Sequence, residues 1–386
     1  MGSTVEIVRA FVKARWPRVR RVPIDDRPVE TVREFEANFA ARNALGVTLA
    51  EAREEAAREL AGGAPRYPGY SFGFSSGTLG EPGVFLTSER ERDRWVGAVL
   101  GKFLPSRMLT GASIALILKH SNRLYTDVRK TRRLRLHYFN AAAPVDDWAA
   151  ALRDAAPDIL IGPPSVLEQL ALRQRIRPSL LIAGAEPLFP QDAALLHDAF
   201  GIAPRVIYQA KDGFLGTGCA HGRVHLNEDL IHFERIDIGR GRFVPVITDF
   251  TRTSQIYRRF RLDDVLISAK ASCACGSPLA GVAAIEGRAN DVLLIGDRII
   301  TPYELNDALG RAMEYTVTQT EPDRVTVAGG DSVDALTKFL HPATVTAVPY
   351  EPPRLGEKRR RVRRLFDPHN DWLSRFTVAR NVAPGV

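Results

Sequence analysis

Cysteine and long apolar stretches are both scarce in this sequence. Three cysteines are too few, and too odd in number, for the disulfide framework of a small secreted protein. The most apolar run, Ile114–Leu118, stops at Lys119, far short of the roughly 18 residues that a membrane-spanning helix needs. The N-terminus has no apolar signal-peptide segment, and Glu6 departs from the myristoylation pattern. We therefore expect a cytoplasmic protein without a membrane partner.

The composition is that of a globular protein with a positive charge excess. The chain has 386 residues, 45% hydrophobic and 25% charged, and at about 150 residues per domain this predicts two domains. The sequence contains no internal repeat and no low-complexity linker. The net charge of +8 favours partners that carry phosphate, whether nucleotides, coenzymes or nucleic acid.

Hydrophobic periodicity divides the chain into unlike parts. The first 64 residues have helical spacing, as in Thr31–Asn43. From about residue 70 to 250 short apolar runs alternate with amphipathic stretches, which predicts an α/β unit with a largely parallel sheet. Residues 230–285 are mainly β, with period-two stretches such as Gln255–Arg261. We predict a large α/β domain, residues 1–288, and a small mobile α+β domain, residues 289–386, with a helix at Pro302–Met313.

A segment rich in glycine and hydroxyl residues is the first candidate site. Glycines allow backbone N–H groups to turn inward, and hydroxyls donate further hydrogen bonds to phosphate oxygens. The segment does not match the Walker pattern of phosphate-binding loops. The alternative interpretation is a surface turn rich in serine and glycine. The candidate phosphate-binding residues are Ser75, Ser76, Gly77, Thr78 and Gly80.

This segment, Ser75–Pro82, resembles the Ser-Ser-Gly-Thr-Thr-Gly-x-Pro loop of the adenylate-forming superfamily, the acyl-CoA synthetases and their relatives. Further segments resemble that superfamily in the correct order, and some are similar to its phenylacetate–CoA ligase-like branch of short enzymes. These segments are Ser121–Tyr125, Pro163–Leu167, Gly184–Leu188, Tyr208–Gly213, His225–Asp229, Arg259–Asp264, Gly287–Asp291 and Arg354–Arg360.

The resemblance implies a role for each matching residue. Gly184, Ala185 and Glu186 would lie beside the adenine of ATP, with Tyr208 and Gln209 on its other side. Asp264 would bind the ribose hydroxyls, as a carboxylate that can accept two hydrogen bonds, and Arg288 would meet ribose or phosphate oxygens. Lys358, in the small domain, would stabilise the charge that develops between the acid and the α-phosphate.

Two positions depart from the superfamily pattern. Lys211 stands where the family has threonine, and Asp212 stands where it has the glutamate that holds Mg²⁺. An aspartate still ligates Mg²⁺ but reaches one methylene less. These changes fit either a degenerate enzyme or one shaped for a smaller nucleophile.

By the same resemblance, the leading hypothesis is an ATP-dependent ligase that activates a small aromatic acid as its AMP ester in secondary metabolism. A nucleophile such as coenzyme A or a carrier protein would then displace AMP. The acid pocket is expected between residues 112–125 and 184–212. Its candidate residues are Asn122, Tyr125 and Phe214, although either aromatic residue could equally belong to the core. The oligomeric state is left open.

The three cysteines fall into two clusters with histidines nearby. Cys219, Cys273, Cys275 and either His225 or His221 supply the atoms of a tetrahedral zinc site. The alternative is that the cysteines are small buried hydrophobes. Since members of the branch carry a similar arrangement, we expect a structural zinc ion.

Two other functions remain as alternatives. Lys211 would suit an enzyme that adenylates nitrite and passes the nitroso group to an aryl amine. The run of basic residues from Lys358 to Arg364 would suit a nucleic-acid-binding protein, although no recognised nucleic-acid motif accompanies it.

Overall fold

The computed structural model describes residues 2–20, 26–75, 82–104, 110–119, 133–173, 176–329, 333–366 and 371–379. Among them no helix combines the length and apolar character needed to cross a bilayer. The α-helices are α1 (Gly2–Arg15), α2 (Val32–Ala37), α3 (Leu49–Leu60), α4 (Glu89–Phe103), α5 (Val145–Ala155), α6 (Pro164–Arg173), α7 (Pro190–Phe200), α8 (Pro302–Ala308) and α9 (Val333–Leu340).

The strands divide between one large sheet and three small ones. The first sixteen strands described are β1 (Tyr70–Phe74), β2 (Val84–Ser88), β3 (Ala112–Leu118), β4 (Leu134–Asn140), β5 (Ile159–Gly162), β6 (Leu180–Ala183), β7 (Arg205–Ala210), β8 (Gly213–Gly218), β9 (Val224–Leu226), β10 (Ile231–Gly239), β11 (Arg242–Asp249), β12 (Phe260–Arg261), β13 (Asp264–Ser268), β14 (Gly281–Arg288), β15 (Leu293–Ile295) and β16 (Arg298–Ile300). The later strands are β17 (Tyr315–Glu321), β18 (Arg324–Gly329), β19 (Thr344–Val348), β20 (Val362–Arg364) and β21 (Val378–Ala379).

The large sheet is parallel in one half and antiparallel in the other. Its order is β21-β10-β11-β13-β14-β9-β8-β7-β6-β5-β3-β4, with β12 beside β11. Pairing from β4 to β7 is parallel, and from β7 onward it is antiparallel. Strand β3 is buried along all but its last residue, as expected for a parallel strand covered on both faces. The predicted α/β class, with parallel strands followed by a β-rich part, is confirmed.

Local sequence signals explain where several helices begin and end. α2, α3 and α4 start at Thr31, Thr48 and Ser88, each with a glutamate three residues later that completes a capping box. The helix predicted over Thr31–Asn43 breaks at Asn38 into α2 and a 3₁₀ turn, Phe39–Arg42. The helix predicted over Pro302–Met313 ends at Ala308, and Gly310 beyond it has a left-handed φ of 62°.

α1 packs unusually closely against α4. A β-carbon at Gly97 would lie 2.2 Å from the carbonyl oxygen of Ile7, and one at Gly101 would lie 2.6 Å from that of Phe11. Only glycine leaves room for this approach. The contact fixes α1 along α4, beside the cleft described below.

The C-terminal part has its own core but returns to the large sheet. Strands β19-β18-β17-β20 form a four-stranded sheet around a cluster that runs from Leu293 to Val362. β21 then pairs with β10, and Trp372 packs with Ile236 and Val265 of the large sheet. Residues near the end of the chain therefore contact the large sheet.

Candidate active site

A cleft of about 1400 Å³ runs between the large sheet and the segment that carries Lys358. The carboxyl ends of parallel strands β5, β6 and β7 meet at one edge of the sheet, where open α/β sheets bind ligands. The lining includes Gly162, Gly184 to Leu188, Val206 to Gly213, Asp263, Asp264 and Lys358 to Arg360. The sheet topology therefore brings together sequence segments almost 200 residues apart.

An aspartate, an arginine and a tyrosine form one corner of this cleft. Asp264 on β13 lies directly opposite Arg288 on β14 in the antiparallel register. The Tyr208 hydroxyl, from β7, donates a 2.7 Å hydrogen bond to Asp264 Oδ2. Burial raises the pKa of Asp264, while Arg288 and Tyr208 oppose that increase. This corner offers a carboxylate and a guanidinium to hydroxyl or phosphate oxygens.

The Lys211–Asp212 pair lies in the turn between β7 and β8. Lys211 Nζ is 2.9 Å from Asp212 Oδ1, and both side chains are largely buried. A β-carbon placed on Gly83 would come within 2.9 Å of Lys211 Cδ and 3.1 Å of Ser75 Oγ, so both residues lie at the end of the candidate phosphate loop. The lysine thus brings a positive charge to that loop while keeping an internal counter-charge.

Arg252 is a residue that the sequence analysis missed. Its guanidinium donates to the carbonyl of Lys211 at 2.7 Å, to that of Leu86 at 2.6 Å and to Gln255 Oε1 at 2.9 Å. It therefore holds the β7–β8 turn against β2. The signal in sequence, one arginine in Thr251–Ser254, is too common to be recognised without the fold.

Lys358 faces the same cleft from the C-terminal side. Burial lowers the pKa of Lys358 to about 8, and the positive charge of Arg288 adds to this effect. Glu186 and Asp264 act in the opposite direction. Lys358 is therefore electrostatically coupled to the Asp264–Arg288 corner, although it is 70 residues beyond it in sequence.

Glu186 connects the two sides of the cleft. Its carboxylate accepts from the backbone N–H and hydroxyl of Ser165 at 3.1 and 3.0 Å, and from the backbone N–H of Arg359 at 3.0 Å. The preceding residue, Ala185, has a left-handed φ of 69° and lines the cleft with Gly184. Glu186 thus positions the Lys358 segment.

Arginines that follow Lys358 are bound by acidic residues of α6 and α7. Arg359 makes two hydrogen bonds to Glu168, at 2.6 and 2.7 Å, and one to Asp192 at 2.9 Å. Arg361 makes two to Asp192, at 2.8 and 2.7 Å, and both of these side chains are almost wholly buried. This arrangement, the Asp192 latch, does not favour a nucleic-acid-binding role for the basic run, because these two arginines are already paired.

An apolar pocket extends from the cleft between α4 and the large sheet. Phe214 lines it and is only 6% exposed, so it belongs both to the pocket and to the core. Trp95 Nε1 donates to Gln209 Oε1 at 3.1 Å, which gives Gln209 a partner within the chain. The sequence analysis did not assign α4 to the pocket. The other apolar lining residues include Ala98, Val99, Leu116, Ile182 and Ile207.

Six predicted site residues lie outside the described residues. They are Ser76, Gly77, Thr78, Gly80, Asn122 and Tyr125.

The predicted zinc ligands come together at a second place in the fold. One atom each from Cys219, His225, Cys273 and Cys275 lies within 4.8 Å of all the others. Cys275 Sγ is 3.2 Å from His225 Nε2, while His225 Nδ1 faces the carbonyl of Leu279 at 3.0 Å. Such an outer hydrogen bond orients a metal-binding imidazole. A hydrogen bond from the Cys275 backbone N–H lowers the pKa of Cys273 to about 6. This Cys₃His donor set fits zinc.

His221 is not part of that cluster. It is exposed, and its backbone N–H, not its ring, is 3.4 Å from Cys219 Sγ. Of the two alternatives, the geometry selects His225.

The fold has solved counterparts, although no protein-family model and no curated protein matches this chain. A 2-hydroxyisobutyryl-CoA ligase, in the postadenylation state with 2-HIB-AMP, aligns over 94% of this chain and 85% of its own, with a TM-score of 0.63 and 19% identity. The chain has the adenylate-forming ligase fold. The predicted resemblance is confirmed at this level.

Two other adenylate-forming structures align over less of their length. The anthranilate CoA ligase AuaEII, in complex with anthranoyl-AMP, covers 75% of this chain and 65% of its own at 12% identity and a TM-score of 0.55. ATP-bound MatB from Rhodopseudomonas palustris covers 71% and 63% at 14% identity and a TM-score of 0.54.

This chain superimposes better on the postadenylation state of the 2-hydroxyisobutyryl-CoA ligase than on its thioesterification state. Against the same 2-hydroxyisobutyryl-CoA ligase in its thioesterification state the TM-score is 0.53, compared with 0.63 for the postadenylation state.

Proposed function

We propose that this protein is an ATP-dependent ligase that converts a small aromatic acid to its AMP ester and then transfers the acyl group to coenzyme A. The observation that carries the proposal is the convergence of Lys358 with the Tyr208–Asp264–Arg288 corner on one cleft that also opens into an apolar pocket. We assign the large domain, residues 1–288, to substrate binding and residues 289–386 to delivery of Lys358.

In the first step the residues orient ATP and stabilise charge. A carboxylate oxygen of the acid bonds to the α-phosphorus, the bond to the bridging oxygen breaks, and pyrophosphate leaves with that electron pair. Asp264 accepts from the ribose hydroxyls, and Arg288 and Lys358 face the negative charge that accumulates around the α-phosphorus. Ser75 and the adjoining loop would bind the outer phosphates, and Gly184 and Ala185 would pass beside the adenine.

Asp212 is the residue we assign to magnesium. Its carboxylate is a suitable hard oxygen ligand at the phosphate end of the cleft. Mg²⁺ bound there would neutralise part of the charge on the phosphates. Lys211 pairs with the same carboxylate at 2.9 Å, so Asp212 would serve both the lysine and the ion.

The pocket favours an organic acid over nitrite. Trp95, Ala98 and Phe214 are among the apolar residues that line it, and burial of an aromatic ring there would supply the binding free energy. Nitrite has no apolar surface to bury. The lysine that suggested nitrite chemistry, Lys211, is paired with Asp212, which weakens that alternative.

In the second step the thiol sulfur of coenzyme A bonds to the acyl carbon, the bond to AMP breaks, and the thiol proton passes to solvent. This acceptor is supported by the 2-hydroxyisobutyryl-CoA ligase, which was solved with coenzyme A bound. A carrier-protein thiol would undergo the same chemistry.

We also propose that Cys219, His225, Cys273 and Cys275 hold a structural zinc ion. Four protein ligands leave no open position for a substrate, so the ion would stabilise the connection of β8 and β9 to the loop before β14 rather than take part in catalysis.

The test of the ligase proposal is release of AMP and pyrophosphate from ATP and Mg²⁺. The panel contains aromatic acids and aliphatic acids with the same number of carbon atoms, each with and without coenzyme A. It also contains nitrite with an aryl amine. We expect release with aromatic acids and thioester formation with coenzyme A. Release of AMP only in the presence of nitrite would instead identify the enzyme as a diazotase. No release of AMP with any compound of the panel would refute the ligase proposal.

A further inference from the structure

Four basic side chains beside the cleft have no role in the chemistry above. Arg9 and Lys13 lie one turn apart on α1, and Arg90 and Arg94 lie one turn apart on α4. All four line the cleft, although none belongs to a motif recognised in the sequence. They meet because α1 packs on α4 at the glycine contact.

One carboxylate organises three of these side chains. Glu6 is 3.8 Å from Arg9, 3.6 Å from Arg90 and 2.5 Å from Arg94. The hydrogen bond from Arg94 lowers the pKa of Glu6, so the carboxylate is charged at neutral pH. Three guanidinium groups against one carboxylate leave a positive excess, which Lys13 increases.

The arginines are held in place while keeping donors exposed. Glu6 is 12% exposed, whereas Arg9 and Arg90 are 58% and 65% exposed, so their remaining N–H groups face solvent and the cleft. A guanidinium matches two phosphate oxygens with two parallel N–H donors. A cluster of several such forks suits a ligand with more than one phosphate.

The cluster is joined to the phosphate end of the cleft. Arg94 Nη1 donates to the carbonyl of Thr251 at 3.2 Å, and the next residue, Arg252, donates to the carbonyl of Lys211 at 2.7 Å. Positive side chains therefore continue from Lys211, beside the candidate phosphate loop, to the surface at α1.

We infer that Arg9, Lys13, Arg90 and Arg94 form a binding site for a diphosphate group, separate from the ATP phosphate loop. Two ligands carry that group in the proposed reaction, namely the pyrophosphate that leaves ATP and the diphosphate of coenzyme A. The inference deepens the proposed function, on which the identity of the ligands rests.

The test measures binding directly, without turnover. Titration calorimetry with pyrophosphate, coenzyme A and pantetheine compares the wild-type chain with an Arg9→Ala/Lys13→Ala double variant. The control is Arg15→Ala, a basic residue of α1 that is absent from the cleft lining. Alanine favours helix, so α1 should persist in the double variant and in the control, and circular dichroism would verify this.

We expect the double variant to bind a diphosphate ligand roughly 10- to 100-fold more weakly, since charge-assisted hydrogen bonds are lost, and the control to match wild type. Loss for pyrophosphate alone identifies the leaving group as ligand. Loss for coenzyme A with pantetheine unaffected identifies the acceptor. Unchanged binding of both diphosphates in the double variant, or no binding to wild type, overturns the inference.

These measurements are independent of the ligase proposal. A wild-type chain that binds pyrophosphate but releases no AMP with any acid would refute the ligase and keep the diphosphate site. If the wild-type protein forms acyl-AMP but the double variant binds both diphosphates as tightly as wild type, the ligase proposal stands and the diphosphate site is refuted.

Discussion

Lys358 illustrates how much of a residue's chemistry is set by its surroundings. A lysine in water has an ordinary pKa near 10.5, whereas burial and Arg288 lower that of Lys358 to about 8. In the proposed reaction the ammonium stabilises the charge around the α-phosphorus, so only the protonated form would be active. It is protonated below its pKa and loses that proton as the pH rises.

We therefore expect kcat/KM for adenylation to fall as the pH rises through about 8. Lys358→Arg should lack this descending limb, because a guanidinium keeps its proton. Lys358→Ala should lower the adenylation rate by roughly 10²–10³. The control is Lys338→Ala, an exposed lysine of α9 in the same part of the chain.

A pH–rate profile of these variants with the best acid from the panel is the measurement. A wild-type profile that stays flat to pH 10, or a Lys358→Ala rate equal to that of Lys338→Ala, would contradict the assignment.

At the scale of elements, the Cys₃His cluster joins β8 and β9 to the loop that precedes their sheet neighbour β14. β8 and β9 contribute Cys219 and His225 at or near their ends, and the loop before β14 contributes Cys273 and Cys275. Leu279 is the one large aliphatic residue of this loop, so a bound ion would supply much of its stabilisation.

Purified protein should contain about one zinc ion per chain. Cys273→Ser should lose most of it and unfold at a lower temperature, whereas His221→Ala should retain both zinc and stability because that ring lies outside the cluster. Elemental analysis and thermal unfolding give the two readouts. Metal-free wild-type protein of the same stability would end the zinc proposal.

At the scale of the whole molecule, the Asp192 latch holds the C-terminal segment against the large domain. Asp192 is fully buried between Arg359 and Arg361, and Arg361 is itself 2% exposed. Arg359 would keep Glu168, but removing the Asp192 charge would leave the buried Arg361 guanidinium without a carboxylate partner. An unpaired buried charge of this kind is strongly destabilising.

Asp192→Asn should reduce the free energy of unfolding by about 3–5 kcal/mol and slow adenylation, because Lys358 is next to the latched arginines. Asp198→Asn is the matched control, an exposed aspartate on the same helix. Denaturant titration of both variants decides the matter, and equal stability would show that the latch contributes nothing.

The return of β21 to β10 also belongs to this scale. It connects the small unit to the large sheet at a second point, after residue 366, in addition to the junction near Arg288. Nothing in the two-residue strand distinguishes it in sequence from an irregular tail, so only the pairing partner reveals it.

Local signals were sufficient for most elements and for the order of the motifs. The alternation of apolar runs with amphipathic stretches predicted the parallel strands β3 to β7, because periodicity depends on neighbours in sequence. The capping pair Ser88 and Glu91, which begins α4, is also a local signal, but the sequence analysis did not use it. The candidate ligands Asp264, Arg288 and Lys358 were likewise named from short segments.

Short sequence segments were enough for the α/β class, the resemblance to the adenylate-forming superfamily and the three cysteines of the Cys₃His cluster. Tertiary structure alone decided that Asp264 faces Arg288, that His225 rather than His221 joins the cysteines, that Arg359 and Arg361 are latched, and that α1 brings Arg9 to α4. The reason is physical. Local hydrogen bonding and hydrophobic spacing act within a few residues of the chain, whereas ion pairing, burial and pKa depend on charges brought together from opposite ends of it.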